Sequence, residues 1–149
     1  MSEYIHKSDN VSVLIYHFVC PSKYRRVIFS TALDATIVKV CKEVSNRHDI
    51  VFLEIGTDKD HVHFLVQSVP AYSPTKLVRM VKSILAREVF KVHPEVKKHL
   101  WGGSLWSSGY FVNTVGRFGD ETSMSNYVKS QGIEKEYSLL HREKQLSLF

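Results

Sequence analysis

The chain has 149 residues, 44% of them apolar, with 20 basic and 15 acidic side chains and a formal charge of +5. That size suits one domain around one core, and the modest positive excess points toward a polyanionic partner more than toward a cation or an acidic membrane anchor. No apolar run reaches the length of a membrane span, residues 1–10 are too polar for a secretory leader, and Cys20 and Cys41 lack zinc-ligand spacing, so a cytoplasmic protein with two reduced, packed thiols is expected.

Val11–Cys20, "VSVLIYHFVC", is rich in β-branched and aromatic residues and predicts a strand that Pro21 stops. The basic stretch "SKYRRVIF" follows as a turn leading into a short extended piece. Ser30 or Thr31 can cap a helix over "ALDATIVKVCKEVSNRH", where Leu33, Ile37, Val40, Cys41 and Val44 fall at helical spacing. Ile50–Thr57 reads as a strand, Asp58–Asp60 as a tight polar turn, and "HVHFLVQSV" as the returning strand of a hairpin. Ser73 caps a second helix with Pro74 in its first turn and Leu77, Val81, Ile84 and Leu85 as its apolar stripe. "GSLWSSGYFVNTVG" reads as an aromatic-rich strand with a bulge near Ser107–Gly109. Gly116 and Gly119 bracket a joint, and a last helix carries "SMSNYVKSQ" until Gly132. The charged tail from Ile133 is expected to be partly helical.

Strand, helix, strand, strand, helix, strand is the split βαβ order of a ferredoxin-like α+β sandwich: an antiparallel sheet with two helices on one face, here with an added C-terminal helix. One domain spanning 1–149 is expected, with its core at about 10–116 and the C-terminal helix and tail at about 120–149. The second sheet face is expected to be free for a ligand.

Residues i and i+2 of a strand share a face. His61, His63, Leu65 and Gln67 therefore face one way, and Val62, Phe64 and Val66 face the helices. The spacing lets both imidazoles reach one metal ion. The pair alone is weak, because eight histidines in 149 positions give roughly 0.4 such pairs by chance. Two exposed surface histidines are the plain alternative. Histidine-triad nucleotide hydrolases need a third histidine where this chain has Leu65, and two-histidine phosphodiesterases need two copies of His-x-Ser/Thr, which are absent.

Tyr127 and Gln131 in "SNYVKSQG" are four apart on a helix and share a face. Tyr127 with Met124 and Val128 would make an ordinary core stripe. Gln131 fits that reading poorly, since a buried amide needs partners. A phenol beside an amide oxygen suits a nucleophile next to a metal ligand.

Taken together, "YHFVCPSKYRRVIF", "DHVHFLV", "SPTKLVRMVKS", "LWGGSLWSSGYFVNTVG" and "NYVKSQG", in that order over nearly the whole chain, resemble the single-tyrosine transposases of the HUH (His-hydrophobe-His) endonuclease superfamily. These enzymes move bacterial insertion sequences as single-stranded DNA. The resemblance implies that Tyr127 attacks a DNA phosphodiester to give a 5′-phosphotyrosine link and a free 3′-OH. It implies His61, His63 and Gln131 as ligands of a Mg²⁺ or Mn²⁺ ion, whereas two imidazoles by themselves favour zinc or manganese. Asp60 is either a turn residue, the commoner role, or an acceptor that holds a ligand histidine in position. The resemblance also implies a homodimer with composite active sites and DNA substrates with hairpin ends. Gly116 and Gly119 would let a terminal helix swing or swap, or are ordinary loop glycines.

Lys76, Arg79, Lys82 and Arg87, with Lys91, could bind phosphates from the second helix. A solvated basic face is the commoner meaning of such a run. Lys23, Arg25 and Arg26 form a second cluster, with Tyr24 available to stack on an unpaired base. DNA binding is preferred for both because the site demands a polyanionic substrate. Rival readings are a non-transposing HUH nickase or repeat-associated relative, and a ferredoxin-like nucleic-acid-binding module without catalysis. The lack of a second tyrosine near Tyr127 argues for the transposase. The binding module predicts aromatic residues in place of histidines on the central strands, with Tyr110 and Phe111 as its best support.

Overall fold

The structure, a computed structural model, describes residues 4–7, 9–23, 30–58, 60–101, 103–115 and 137–142. The expected C-terminal helix with Tyr127 and Gln131, the glycine joint, and Tyr24, Arg25 and Arg26 lie outside the described residues.

The elements, in chain order, are β1 (Ile5–His6), β2 (Val11–Ser12), β3 (Leu14–Pro21), α1 (Thr31–Arg47), β4 (Val51–Asp58), β5 (His61–Ser68), α2 (Pro74–Val92), α3 (Pro94–His99), β6 (Phe111–Val115) and β7 (Ser138–Arg142). Five strands form one antiparallel sheet in the order β6-β3-β5-β4-β7. Its first four strands have the expected ferredoxin-like order, with the hairpin strand β5 and the first long strand β3 in the centre. β7 adds a fifth strand beside β4.

Local chemistry explains the helix starts. Ser30 caps α1, its hydroxyl accepting from the Leu33 N–H at 3.2 Å, and Ser73 caps α2 by accepting from the Lys76 N–H at 3.1 Å. Such caps contribute about 1 kcal/mol each. The five apolar residues expected to line α1 are all buried. α2 buries Leu77, Val78, Val81, Leu85 and Val89, with Ile84 at the edge of the core. These residues pack against Phe18, Cys20, Phe52, Ile55, Val62, Phe64 and Val66 from the sheet. The helix-facing parity of Val62, Phe64 and Val66 is as expected. Both thiols are buried and unpaired, and burial pushes Cys20 up to about 12, so neither is reactive.

Several expectations need correction. The strand read over Val11–Cys20 is broken at Val13, and its first two residues pair instead with Ile5 and His6. The strand read over 103–116 is confined to Phe111–Val115. The residues before it are fixed by side chains: Trp106 Nε1 donates to the Lys82 carbonyl at 2.9 Å, and Lys82 Nζ donates to the Ser107 and Gly109 carbonyls. The tail read as partly helical contains β7.

The second sheet face is not open. Ile15, Leu53 and Leu65 form a small apolar cluster there, with Val13, Val51, Val115 and Tyr137 packed against it. A bulge in β4 between Phe52 and Glu54 sends Leu53 and Glu54 to this outer side.

Candidate active site

Strand register assembles the site. On the outer face, His61 lies between Asp58 and Pro21, His63 between Gly56 and Val19, and Leu65 between Glu54 and His17. His17 and His63 are therefore diagonal neighbours across the two central strands, a separation that side chains of this length can bridge. Their rings meet: His17 Nε2 is 3.3 Å from His63 Nδ1, with centroids 5.5 Å apart and planes only 14° from parallel. One short N···N contact at that centroid separation describes two rings joined edge to edge through a hydrogen bond, not face to face.

The two predicted histidines are not equivalent. His61 retains partial exposure, and its Nδ1 is 2.5 Å from Asp60 Oδ1. Asp60 is thus paired with His61, and its backbone carbonyl ties the hairpin turn to the end of β3 by accepting from the Ser22 N–H at 2.9 Å. With Nδ1 engaged, Nε2 is the nitrogen left to act as a donor atom. His63 is only 1% exposed. Its Nε2 has no hydrogen-bond partner among the described residues, and Asp58 Oδ2 at 3.9 Å is too distant to supply one. Burial lowers His63 to about 4, against a smaller opposing pull from Asp58 and with a further push from His61. Burial, then His63, lowers His17 to about 4. Both imidazoles are thus neutral at pH 7, the form that binds metal. A buried, neutral, unsatisfied nitrogen beside an oriented imidazole is a donor pair that a divalent cation would complete. Among the described residues no group of three His, Cys, Asp or Glu side chains is placed to hold a metal ion.

A second polar group borders the pair. Glu54, 1% exposed, accepts from Arg142 Nε and Nη2 at 3.2 and 3.1 Å on one oxygen and from the Tyr137 hydroxyl at 3.0 Å on the other. The Tyr137 ring stands edge-on to His63, with centroids 5.5 Å apart. It lies so close over Gly56 that any Cβ there would collide with it. Tyr137, which the sequence reading did not single out, is therefore beside His63. Burial, then the charge and hydrogen bond of Glu54, pushes its phenol above the ordinary tyrosine value. It serves as a donor to Glu54 and is a poor nucleophile.

The basic residues divide. Lys76, Arg79 and Arg87 are exposed on α2, and Lys76 Nζ lies 5.3 Å from the Tyr72 ring centroid. They belong to the helical layer, across the sheet from the histidines. Lys82, expected to contact DNA, instead grips two backbone carbonyls. Lys23 is at the histidine end of the sheet, one residue beyond the Ser22–Asp60 contact, with its N–H donating to the Leu105 carbonyl.

His17, Glu54 and Tyr137 were missed as site residues. Their only sequence signals were a lone histidine and a lone carboxylate, each inside an apolar strand, and for Tyr137 there was none.

The fold and the comparisons together define a transposase, an enzyme that cleaves DNA and transfers strands. The sequence profile described as "Transposase IS200 like" matches residues 10–131, so the chain belongs to the IS200-like transposases, the single-tyrosine family of the HUH superfamily found in bacterial insertion sequences. It is 26% identical over 118 residues to the ISDra2 transposase TnpA of Deinococcus radiodurans, covering 79% of this chain and 84% of that one. It is 24% identical over 116 residues to the transposase for insertion sequence element IS200 of Salmonella typhimurium, covering 78% and 75%. A 1.90 Å crystal structure of a Deinococcus radiodurans R1 protein described as a transposase superposes with a TM-score of 0.68 at 23% identity, covering 86% of this chain and 98% of that one. That likeness carries the fold, and the α+β sandwich expected from the sequence stands. Among the described residues no helix is long and apolar enough to cross a membrane.

Proposed function

We propose that this transposase cuts and rejoins single-stranded DNA through Tyr127, with His61, His63 and Gln131 holding a Mg²⁺ or Mn²⁺ ion. The observation that supports this most is the buried His63 Nε2 without a hydrogen-bond partner among the described residues, beside a His61 ring held by Asp60. Buried polar atoms are rarely left unpaired, and those that are need an explanation. A bound divalent ion supplies charge withdrawal from a non-bridging phosphate oxygen and a fixed orientation for the phosphate.

The protein's own residues carry the rest. Asp60 keeps His61 turned, and the Tyr127–Gln131 segment brings an amide oxygen with the nucleophile. The Tyr127 hydroxyl, whose ordinary pKa is about 10, gives up its proton as its oxygen bonds to phosphorus. The bond from phosphorus to the 3′ oxygen breaks, and that oxygen leaves as a 3′-OH. The 5′-phosphotyrosine ester keeps the bond energy, so a second 3′-OH can reverse the step without ATP. The substrate is single-stranded DNA with hairpin ends, and the working unit is a homodimer whose chains share their active sites. The binding-module rival is disfavoured because the outer side of the two central strands carries His17, His61 and His63 where it requires aromatic residues.

Incubation with single-stranded element-end DNA and Mn²⁺ tests this reading. A covalent protein–DNA adduct that disappears in Tyr127→Phe is expected. A band shift without any adduct, or cleavage that survives Tyr127→Phe, would overturn it.

A further inference from the structure

We infer that Trp101 is a stacking platform for an unpaired base of single-stranded DNA, and that Lys97 and Lys98 beside it take the flanking phosphates. The identity of the ligand rests on the single-stranded DNA reading above.

The backbone at Trp101 carries the assignment. Leu100 caps α3, and Trp101, the next residue, has a φ of 55°, in the left-handed region. Its N–H donates to the Lys98 carbonyl at 2.9 Å, and the Gly103 N–H donates to the Leu100 carbonyl at 2.9 Å, so the turn closes as helix C-termini commonly do. Glycine is the usual occupant of that place, because a Cβ is unfavourable there, and a bulky residue is an outlier. Two glycines follow at 102 and 103, yet the left-handed place holds an indole. Burial does not account for it: Trp101 is 71% exposed, the most of any large hydrophobic side chain among the described residues. Trp106 shows the structural alternative, at 6% exposed with its Nε1 donating to the Lys82 carbonyl. Backbone outliers of this kind concentrate where a ligand is held, and an exposed aromatic face stacks on a base whatever its identity. Charge and position name the ligand. Lys97, Lys98 and His99 form the exposed last turn of α3, with Lys97 Nζ 5.7 Å from the Phe90 ring centroid. Glu95, the acid of that helix, is at its other end, 3.4 Å from His93 Nδ1. The chain beyond Trp101 is fastened to the histidine end of the sheet. The Lys23 N–H donates to the Leu105 carbonyl at 2.8 Å, the Ser107 N–H donates to the Pro21 carbonyl at 3.0 Å, and Pro21 pairs with His61. Trp101 is four residues before Leu105, so their Cα atoms are within about 14 Å.

The chain has two tryptophans, and Trp106 is buried, so fluorescence reports on Trp101 directly. Titration of the protein with single-stranded element-end DNA, without metal so that nothing is cut, should quench the emission to saturation. A fully paired duplex of the same sequence should quench it less. Trp101→Gly supplies the residue the turn favours. It should abolish the quench and weaken binding by about five- to a hundredfold, with an unchanged salt slope and a melting temperature equal to the parent's or higher. Trp101→Phe, which keeps an aromatic face, should recover part of the affinity. Replacing Lys97 and Lys98 with Ala should keep the quench and lower the salt slope by about 0.7 for each phosphate no longer neutralised. A quench that survives in Trp101→Gly, an unchanged affinity, a melting temperature that falls with the affinity, or an equal quench by the duplex would overturn the platform, and an unchanged salt slope would overturn the lysines' part. Failure of the Tyr127 reading has a different signature: DNA still quenches Trp101, but no covalent adduct forms when Mn²⁺ is added. An adduct formed with Trp101 emission unaffected by DNA would overturn the platform and leave Tyr127 standing.

Discussion

Gly56 shows how a single missing methyl group shapes the site. The Tyr137 ring occupies the space a Cβ would take, and from there it reaches both Glu54 and the edge of His63. Gly56→Val must drive the ring out, breaking its hydrogen bond and opening the outer face. We expect a loss of roughly 1–3 kcal/mol in urea denaturation, with Tyr137→Phe losing only about 1 kcal/mol because the ring stays and the hydroxyl goes. Equal losses in the two variants would mean that packing over Gly56 contributes nothing of its own. At this scale the sequence was legible where period two sufficed: His61 and His63 share a face, as read. His17 has the same outward parity on β3, but only the pairing of Leu65 with His17 brings it diagonal to His63. That pairing is made across 46 positions of chain and leaves no local trace.

At the scale of elements, α2 separates two uses of positive charge. Lys76, Arg79 and Arg87 are exposed, while Lys82 ties α2 to the segment before β6. Replacing the first three with Ala should leave the melting temperature unchanged. It should reduce the salt slope of single-stranded DNA binding by about 0.7 for each phosphate that is no longer neutralised. Lys82→Met should lower stability by about 1–3 kcal/mol, since it removes the donor serving two carbonyls. A salt slope unchanged in the triple variant would restrict the DNA-binding surface to other residues. The helices and the β4–β5 hairpin were readable because their signals are local: serine caps, a proline in the first turn, and apolar residues at fixed spacing. β7 was not, because "SLLHR" has no clear alternation and its anchor is the Arg142–Glu54 ion pair, formed 88 positions away. β1 and β2, at two residues each, are too short to show any period.

For the molecule as a whole, the ferredoxin-like order puts both histidine-bearing strands at the centre of the sheet, where neighbours on each side fix their register. β6 and β7 form the opposite edges, four strand spacings or roughly 19 Å apart. Tyr127 and Gln131 fall in sequence between those two edge strands. Tyr137 stands beside His63 but is committed to Glu54. The distinction between these two tyrosines is where the proposed mechanism is most exposed to test. The decisive measurement is peptide mass mapping of the protein–DNA adduct trapped with single-stranded element-end DNA and Mn²⁺. The predicted result is DNA attached at Tyr127, with the adduct abolished in His61→Ala and His63→Ala. An adduct mapped to Tyr137, or one formed undiminished without the two histidines, would contradict it.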